Sequence, residues 1–429
     1  MSSRTSRSRP ARRKTRPNRA AATAVAIGAP LLLAVAACEP DEGQTRPSSP
    51  DIDNLRSLPY TGFAAPATTD KGSGVTIHEA GLVQPGLNLF ASRPLCRADL
   101  ITLNGEVVQS WSQPGVFWAN CELLPDGDLL IVGAGDGETL YSQMTEEDNF
   151  LLRLSWDGQV VWKRDLPVHH DVEVTPRGHI MSLVMKFRRI EQIHPDIDVR
   201  DDSIVLLWPD GRPFEECSLY DAFSARPDLF TFQEIKPRER RGRKMVDLFH
   251  ANSIEWMRHA HLAERHPIYG RDNIILCSRH QDTVAIIDWN SKKLVWAWGQ
   301  GEISGPHDAT VLENGRILLF DNGLGRDWSR VIELDPLTRE IVWEYKAADP
   351  AEFYTASRGS NQRLANGNTL VAQSDTGRAF EVTREGRIVW EYSNPHRSGV
   401  GGPATIVRMK RYEPAYIERI RELHAEEKR

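Results

Sequence analysis

The chain has 429 residues, 53 of them Lys or Arg and 59 Asp or Glu. Eight of the basic residues lie in the first 19 positions, where there is no acid, so the remainder carries 45 positive against 59 negative side chains, a net of −14. That sign is wrong for tracking a phosphate backbone, which excludes nucleic acid as a partner, and an apolar content of 40% excludes disorder and collagen-like repetition.

The N-terminus reads as an address. Positions 4–19 are basic, 20–37 (AAATAVAIGAPLLLAVAA) are apolar and small, and Cys38 follows Val35-Ala36-Ala37, the order of an export signal. The small-residue triplet ending in Cys resembles the lipobox of bacterial lipoproteins. This implies a signal peptide over 1–37, lipidation at Cys38, and a membrane-anchored protein of the cell envelope facing the periplasm. Glu39 in place of Asp leans toward the outer membrane where a cell has two. An uncleaved anchor is the competing reading, since 18 apolar residues reach the length of a membrane span. Residues 38–73, rich in Pro, Ser, Thr and charge, form a flexible tether. Cys96, Cys121, Cys217 and Cys277 have no metal spacing; two bridges or four buried thiols are both open.

From about residue 74 a repeat organises the chain. A Val- or Ile-rich run ending in Trp recurs as GQVVW (Trp162), KKLVW (Trp296), REIVW (Trp343) and GRIVW (Trp390), with a looser copy at Trp111. Trp296, Trp343 and Trp390 are each 47 residues apart. Each unit also carries an earlier turn, LPDG at 124–127, TPRG at 175–178, LENG at 312–315 and LANG at 364–367. Strand, turn, strand, loop, strand, turn, strand is a four-stranded antiparallel meander. With a degenerate third unit near Phe214 there are six, so the fold class is all-β, a six-bladed β-propeller over 74–412. The strand within 403–412 is expected to close the ring on blade 1. Residues 413–429 are expected to form a charged helix with Ile417, Ile420 and Leu423 on its contact face. Two insertions, 211–248 and 258–271, are expected as rim loops.

Aligned on the turn glycine, His170 and His307 each precede it by eight residues, and His250 in HANSIEWM matches His307 in HDATVLEN. That register is the start of each blade's innermost strand, so three imidazoles converge at one mouth of the channel. Arg279 ends the second strand of unit four, beside His250 across the hairpin. Asn252 lies two residues inside His250 and faces the same way. The result is a donor-rich pocket in an acidic chain. His₃ ligation of zinc is the rival reading, opposed by the fixed charge of Arg279, so no metal and no cofactor is expected. By alternation His169 and His280 should point away from the pocket, and His396 and His424 should be solvated.

The motifs HHDVEV at 169, FHANSIEW at 249, CSRHQ at 277 and GPHDATVLENG at 305 resemble those of the bacterial arylsulfate sulfotransferases. The resemblance covers roughly 75–412. It implies transfer of a sulfuryl group from an aryl sulfate donor to a phenolic acceptor, by a ping-pong route through a sulfo-histidine, without a nucleotide sulfate. Carried over by motif, His307 would be the nucleophile, with His170, His250, Asn252 and Arg279 as sulfate-binding and acid–base groups. Such chemistry has charge on peripheral oxygens, which positioned donors can stabilise. The family's extra N-terminal β-sandwich has no counterpart, because 39–74 is too short for one. A propeller that only binds a sulfated or acidic ligand is the alternative. Quinoprotein dehydrogenases need eight blades, and no cysteine starts the Cys-x-Pro/Ala-x-Arg motif of cysteine-based sulfatases.

Overall fold

A computed structural model describes residues 72–136, 145–240, 243–398 and 402–427. The expected signal peptide, Cys38 and nearly all of the tether lie outside these residues.

The described chain is almost entirely β, in six antiparallel sheets that form the expected six-bladed propeller. From the innermost strand outward, blade 2 is Phe117–Leu123, Leu129–Ala134, Asn149–Leu154 and Val160–Asp165, and blade 3 is Val168–Val174, Ile180–Arg188, Val199–Leu207 and Pro213–Ser218. Blade 4 is Ala251–Trp256, Asn273–Ser278, Thr283–Asp288 and Lys293–Trp298. Blade 5 is His307–Val311, Ile317–Asp321, Arg330–Asp335 and Glu340–Tyr345, and blade 6 is Ser360–Arg363, Thr369–Gln373, Arg378–Val382 and Ile388–Ser393. Blade 1 takes its innermost strand, Ile406–Tyr412, from the far end of the chain and pairs it with Leu87–Ser92, as the sequence predicts. Gly74–His78 adds a fifth strand outside blade 6. The ring is therefore sealed from both ends, which leaves no free edge between first and last blades.

The repeated residues have repeated jobs. Gly127, Gly178, Gly315 and Gly367 sit at φ between 80° and 88°. In each the N–H donates to the carbonyl three residues back, at 2.8–2.9 Å. A side chain would be strained there, which is why the turns keep glycine. The repeated Trp fastens one blade to the next. Trp111 Nε1 donates to Ser155 O (3.1 Å), Trp296 to Pro336 O (3.1 Å), Trp343 to Arg384 O (2.8 Å) and Trp390 to Leu103 O (2.8 Å). Each accepting carbonyl lies in the outer turn of the following blade, so the indole contributes both apolar area and a directed bond. In blade 3, Phe214 lacks the N–H and instead stacks on Trp208, with centroids 4.3 Å apart.

The departures are local. The predicted 211–248 insertion is shorter than expected, since Pro213–Ser218 is the outer strand of blade 3. Beyond that strand come a short helix, Leu219–Ser224, capped by Ser218, and a hairpin, Arg238–Arg240 with Arg243–Asp247. The second hairpin strand runs parallel to the start of Val199–Leu207 and is joined to the blade, so it is no loose rim loop. The C-terminal helix Pro414–Glu427 buries Ile417 and Ile420, but Leu423 is 44% exposed. Its place on the contact face is taken by His424, which meets Asp126 O at 2.7 Å and stacks on Trp156. Cys96, Cys121, Cys217 and Cys277 are buried free thiols. Burial pushes each of them up to about 12.

Candidate active site

The innermost strands of blades 2 to 5 each carry a register shift near their start, as at Ala251/Ser253 and His307/Thr310. Such bulges re-aim side chains, here into the channel. His170 and His250 take left-handed backbones, φ 61° and 48°. In blade 5 the left-handed residue is Asp308, φ 53°, one place after His307. The three histidines thus share a sequence register without sharing a backbone conformation. Non-glycine residues held there cost on the order of 1–3 kcal/mol each, which the closed ring must offset.

His307 is 5% exposed. Its Nδ1 lies 3.0 Å from Gly305 O and 2.7 Å from Asn322 Oδ1. The amide orientation of Asn322 is set by its Nδ2, which donates to Thr355 O and Arg358 O (2.8 and 2.6 Å). Two acceptors around Nδ1 assign the proton to it and leave the lone pair on Nε2. The backbone N–H of Arg358 donates to that nitrogen at 3.2 Å. Burial, reinforced by the charge of Arg279, lowers the His307 pKa to about 3. At neutral pH it is uncharged, with its basic lone pair on Nε2.

His250 is oriented differently. Its Nδ1 lies 2.6 Å from Asp247 Oδ2, a carboxylate with no exposure. Asp247 is also paired with Arg238 and, at 3.5 Å, with Arg200. Burial pushes its carboxyl up, but the two guanidinium groups and the imidazoles outweigh this and hold it well below the usual carboxylate range. Burial, only partly opposed by Asp247, holds His250 well below 6.5. His280 is buried against the ring of His250, centroids 4.5 Å apart, and its Nδ1 meets Asp247 O at 2.6 Å. It does not point outward as alternation suggests, because it lies past the end of Asn273–Ser278, where the period of two has lapsed. Asp247, His250 and His280 have ligand atoms within 4.8 Å of one another. Arg238 and Arg200 already occupy the carboxylate, so the charge at this trio does not favour a cation.

The ring of His170 is 5.1 Å from that of His250. His169, expected to turn away, is instead part of the cluster, its Nδ1 2.6 Å from His170 Nδ1. Its Nε2 faces Asp202 at 3.2 Å. With His169 Nε2–H donating to the Asp202 carboxylate, His169 Nδ1 accepts from His170 Nδ1–H, and His170 presents Nε2 as an acceptor. The bulge between His169 and Val172 is what defeats simple alternation. Burial and the neighbouring imidazoles hold His170 well below 6.5.

Arg279 is 1% exposed, its backbone N–H on His250 O as the hairpin reading requires. Its Nη2 donates to Ala356 O at 3.2 Å. Asn252 Nδ2 donates to Pro306 O at 2.9 Å, tying blade 4 to the residue before His307. His170, Asn252 and His307 line a cavity of about 70 Å³ whose apolar wall includes Phe117, Met185 and Val407. His396, expected to be solvated, is only partly exposed, and its Nε2 is 2.9 Å from Asp99.

Arg408 closes the floor. It forks onto Asp171 (2.9 and 3.0 Å) and reaches Asp308 at 2.6 Å. These carboxylates directly follow His170 and His307 in sequence, and Arg408 comes from the strand that closes the ring. Beyond this lock the other mouth widens to a cavity of about 860 Å³ lined by ion pairs such as Glu173 with Arg258 and Glu122 with Lys410.

Asp247, Asn322 and Arg358 were missed in the sequence. Asn322 had a readable signal, since it comes after the second strand of blade 5 as Arg279 comes after that of blade 4. Asp247 sits three residues before His250, inside what reads as an insertion.

Fold and site define a propeller whose channel mouth carries imidazole and guanidinium groups facing a small cavity, the equipment for handling an oxyanion. The family model for arylsulfotransferases (ASST) matches residues 122–395. The chain belongs to that family, and its activity is in general terms aryl sulfotransfer. No curated protein matches the chain. Solved structures resemble it distantly. A protein of unknown function from Bacteroides caccae is 14% identical, with a TM-score of 0.47, over 76% of this chain and 98% of that one. Virginiamycin B lyase from Staphylococcus aureus, with quinupristin, is 12% identical, with a TM-score of 0.40, over 77% and 87%.

Proposed function

We propose that the protein moves a sulfuryl group from an aryl sulfate to a phenol in two half-reactions through a sulfo-histidine at His307. The observation that carries this is the pair of acceptors, Gly305 O and Asn322 Oδ1, at His307 Nδ1, which assign the proton to that atom and leave an uncharged Nε2 to attack. In the first half-reaction Nε2 bonds to sulfur as the sulfur–oxygen ester bond breaks, and His250 in its protonated form gives its Nε2 proton to the departing phenolate. In the second, neutral His250 removes the acceptor's proton as the phenol oxygen attacks sulfur and the nitrogen–sulfur bond breaks. Because His250 is held neutral in the ligand-free pocket, the donor's negative charge is what raises its proton affinity. Donor binding therefore takes up a proton. Arg279 and Asn252 supply donors to the sulfuryl oxygens, and the Arg358 N–H, 3.2 Å from Nε2, can pass to an incoming oxygen. Both substrates are small molecules, and the chemistry requires neither metal nor cofactor.

The test is donor alone. Purified protein should release one equivalent of phenol in a burst and gain the mass of one SO₃ group at His307, which acceptor phenol then discharges. Wild-type protein that turns over without ever gaining that mass overturns the reading. We also propose that the chain is a lipoprotein anchored through Cys38 at the periplasmic face of the envelope, on the strength of the apolar run and triplet before it. Cys38→Ser should lose lipid labelling and membrane partitioning; identical fractionation of both forms, without lipid incorporation, would refute it.

A further inference from the structure

We infer that Asp247 is the positioning residue of His250, delivered to it by the hairpin inserted between blades 3 and 4; this rests on the sulfotransfer reading above. In sequence the segment reads as a rim loop. In the fold its last strand, Arg243–Asp247, lies parallel to Val199–Leu207 and pairs Asp247 with Arg200. The chain then needs only three residues to reach His250, whose Nδ1 meets the carboxylate at 2.6 Å. The first hairpin strand supplies Arg238 to the same carboxylate.

The chemistry is set by the tautomer. An ionised carboxylate only accepts hydrogen bonds, so it places a proton on Nδ1 and turns Nε2 into the atom that exchanges a proton with the phenol oxygen. An asparagine there would offer an N–H as readily as an oxygen and so would not dictate the tautomer, and it could not do the second job Asp247 performs, which is to stabilise the imidazolium that must exist before the phenolate leaves. The groups packed nearest this carboxylate are charged or titratable, and Arg279 and His170 lie one step further, against His280 and His250. Arg200 and Arg238 pair with it, Asp202 pairs with Arg200 at 2.9 Å, and His169 and His280 are buried beside it. With guanidinium groups on several sides, an added proton on His250 needs an anion in contact, and the carboxylate that meets its ring is Asp247.

Asp247→Asn in the full-length protein is the experiment, read by ¹⁵N NMR of the His250 ring and by kinetics on two donors. Wild-type His250 should show a protonated Nδ1 and an unprotonated Nε2, and the Asn variant should lose that preference. Turnover of a sulfate of a weakly acidic phenol should fall on the order of 10²-fold or more. KM should hold, and a donor whose phenol leaves without a proton should be little affected. Asp247→Glu should restore the tautomer and part of the rate. An unchanged tautomer in Asp247→Asn, or equal losses on both donors, overturns the proposal. If the variant does not fold, wild-type His250 found with its proton on Nε2 overturns it equally. Should wild-type protein form no sulfo-histidine, the sulfotransfer reading fails alone, and the NMR result still decides what orients His250.

Discussion

The starts of blades 4 and 5 present the same residue in two chemical settings. At blade 5, His307 is oriented by a backbone carbonyl and an amide oxygen, both neutral, and faces the positive charge of Arg279. At blade 4, His250 is oriented by a buried carboxylate that two arginines keep ionised. A neutral frame does not favour protonation of the ring, so it suits a nucleophile that must be uncharged when it attacks. A carboxylate frame can, and so suits a group that gains and loses a proton each cycle. Repetition of a blade supplied the position, and the polar groups around it divided the labour.

The largest expected effect breaks this division directly. His307→Ala should abolish both burst and adduct. His250→Ala should still form the adduct on His307, but about 10²–10⁴-fold more slowly for weakly acidic leaving phenols. Rapid-quench mass spectrometry separates the two, and an adduct in His307→Ala would move the nucleophile to His250 or His170. The pH profiles sharpen the same point. His307, with a pKa of about 3, is neutral across the working range, so it contributes no limb there. On the proposed route donor cleavage uses protonated His250 and should slow as pH rises, whereas discharge by acceptor uses it neutral and should quicken. Parallel limbs for the two half-reactions would mean that His250 does not act in both.

Arg279→Ala comes next. Loss of a preorganised donor to a developing oxyanion removes about 3–4 kcal/mol, a fall of roughly 10²- to 10³-fold. The adduct should stay on His307, and single-turnover rates should show the loss in kcat more than in KM. Arg279→Lys should recover little, since an ammonium cannot replace the planar fork.

Arg279 also marks how far the sequence could be read. The repeat, six blades, the closing strand and the converging histidines were all legible, because turn glycines and tryptophans recur with fixed jobs. Arg279 was reached from hairpin geometry alone. Asn322 obeys the same geometry, yet an uncharged side chain carries no signal of its own. His169 and His280 were misplaced because alternation holds only inside a regular strand; one lies beside a bulge and the other beyond a strand's end. Asp247 was hidden because its partner is close in sequence but its role depends on Arg200, brought in by a parallel pairing no local pattern announces.

A smaller effect concerns stability. The folded pKa of His307 is about 3 against 6.5 for an ordinary imidazole, so between those values the unfolded chain binds the extra proton. Stability tied to the neutral ring is full above pH 6.5 and is lost as pH falls, by about 2 kcal/mol at pH 5. Urea unfolding at pH 7 and pH 5 should therefore show a smaller loss for His307→Asn than for wild type, by about that amount. Equal losses would mean that His307 is already charged in the folded protein.

The smallest effect tests the neutral frame itself. Asn322→Ala removes one of two acceptors at His307 Nδ1 and leaves Gly305 O, at 3.0 Å, to hold the proton. The tautomer should persist, and the first half-reaction should slow only by the worth of one ordinary hydrogen bond, about 0.5–1.5 kcal/mol. Because neither lost group is ionised, that loss should be the same at pH 6 and pH 8, whereas any perturbation of His250 should change with pH. Thermal stability should fall as well, since Thr355 O and Arg358 O lose their donor. A loss in Asn322→Ala that grows or shrinks with pH would place a titrating charge on His307, and nucleophile and acid–base group would then have to exchange places.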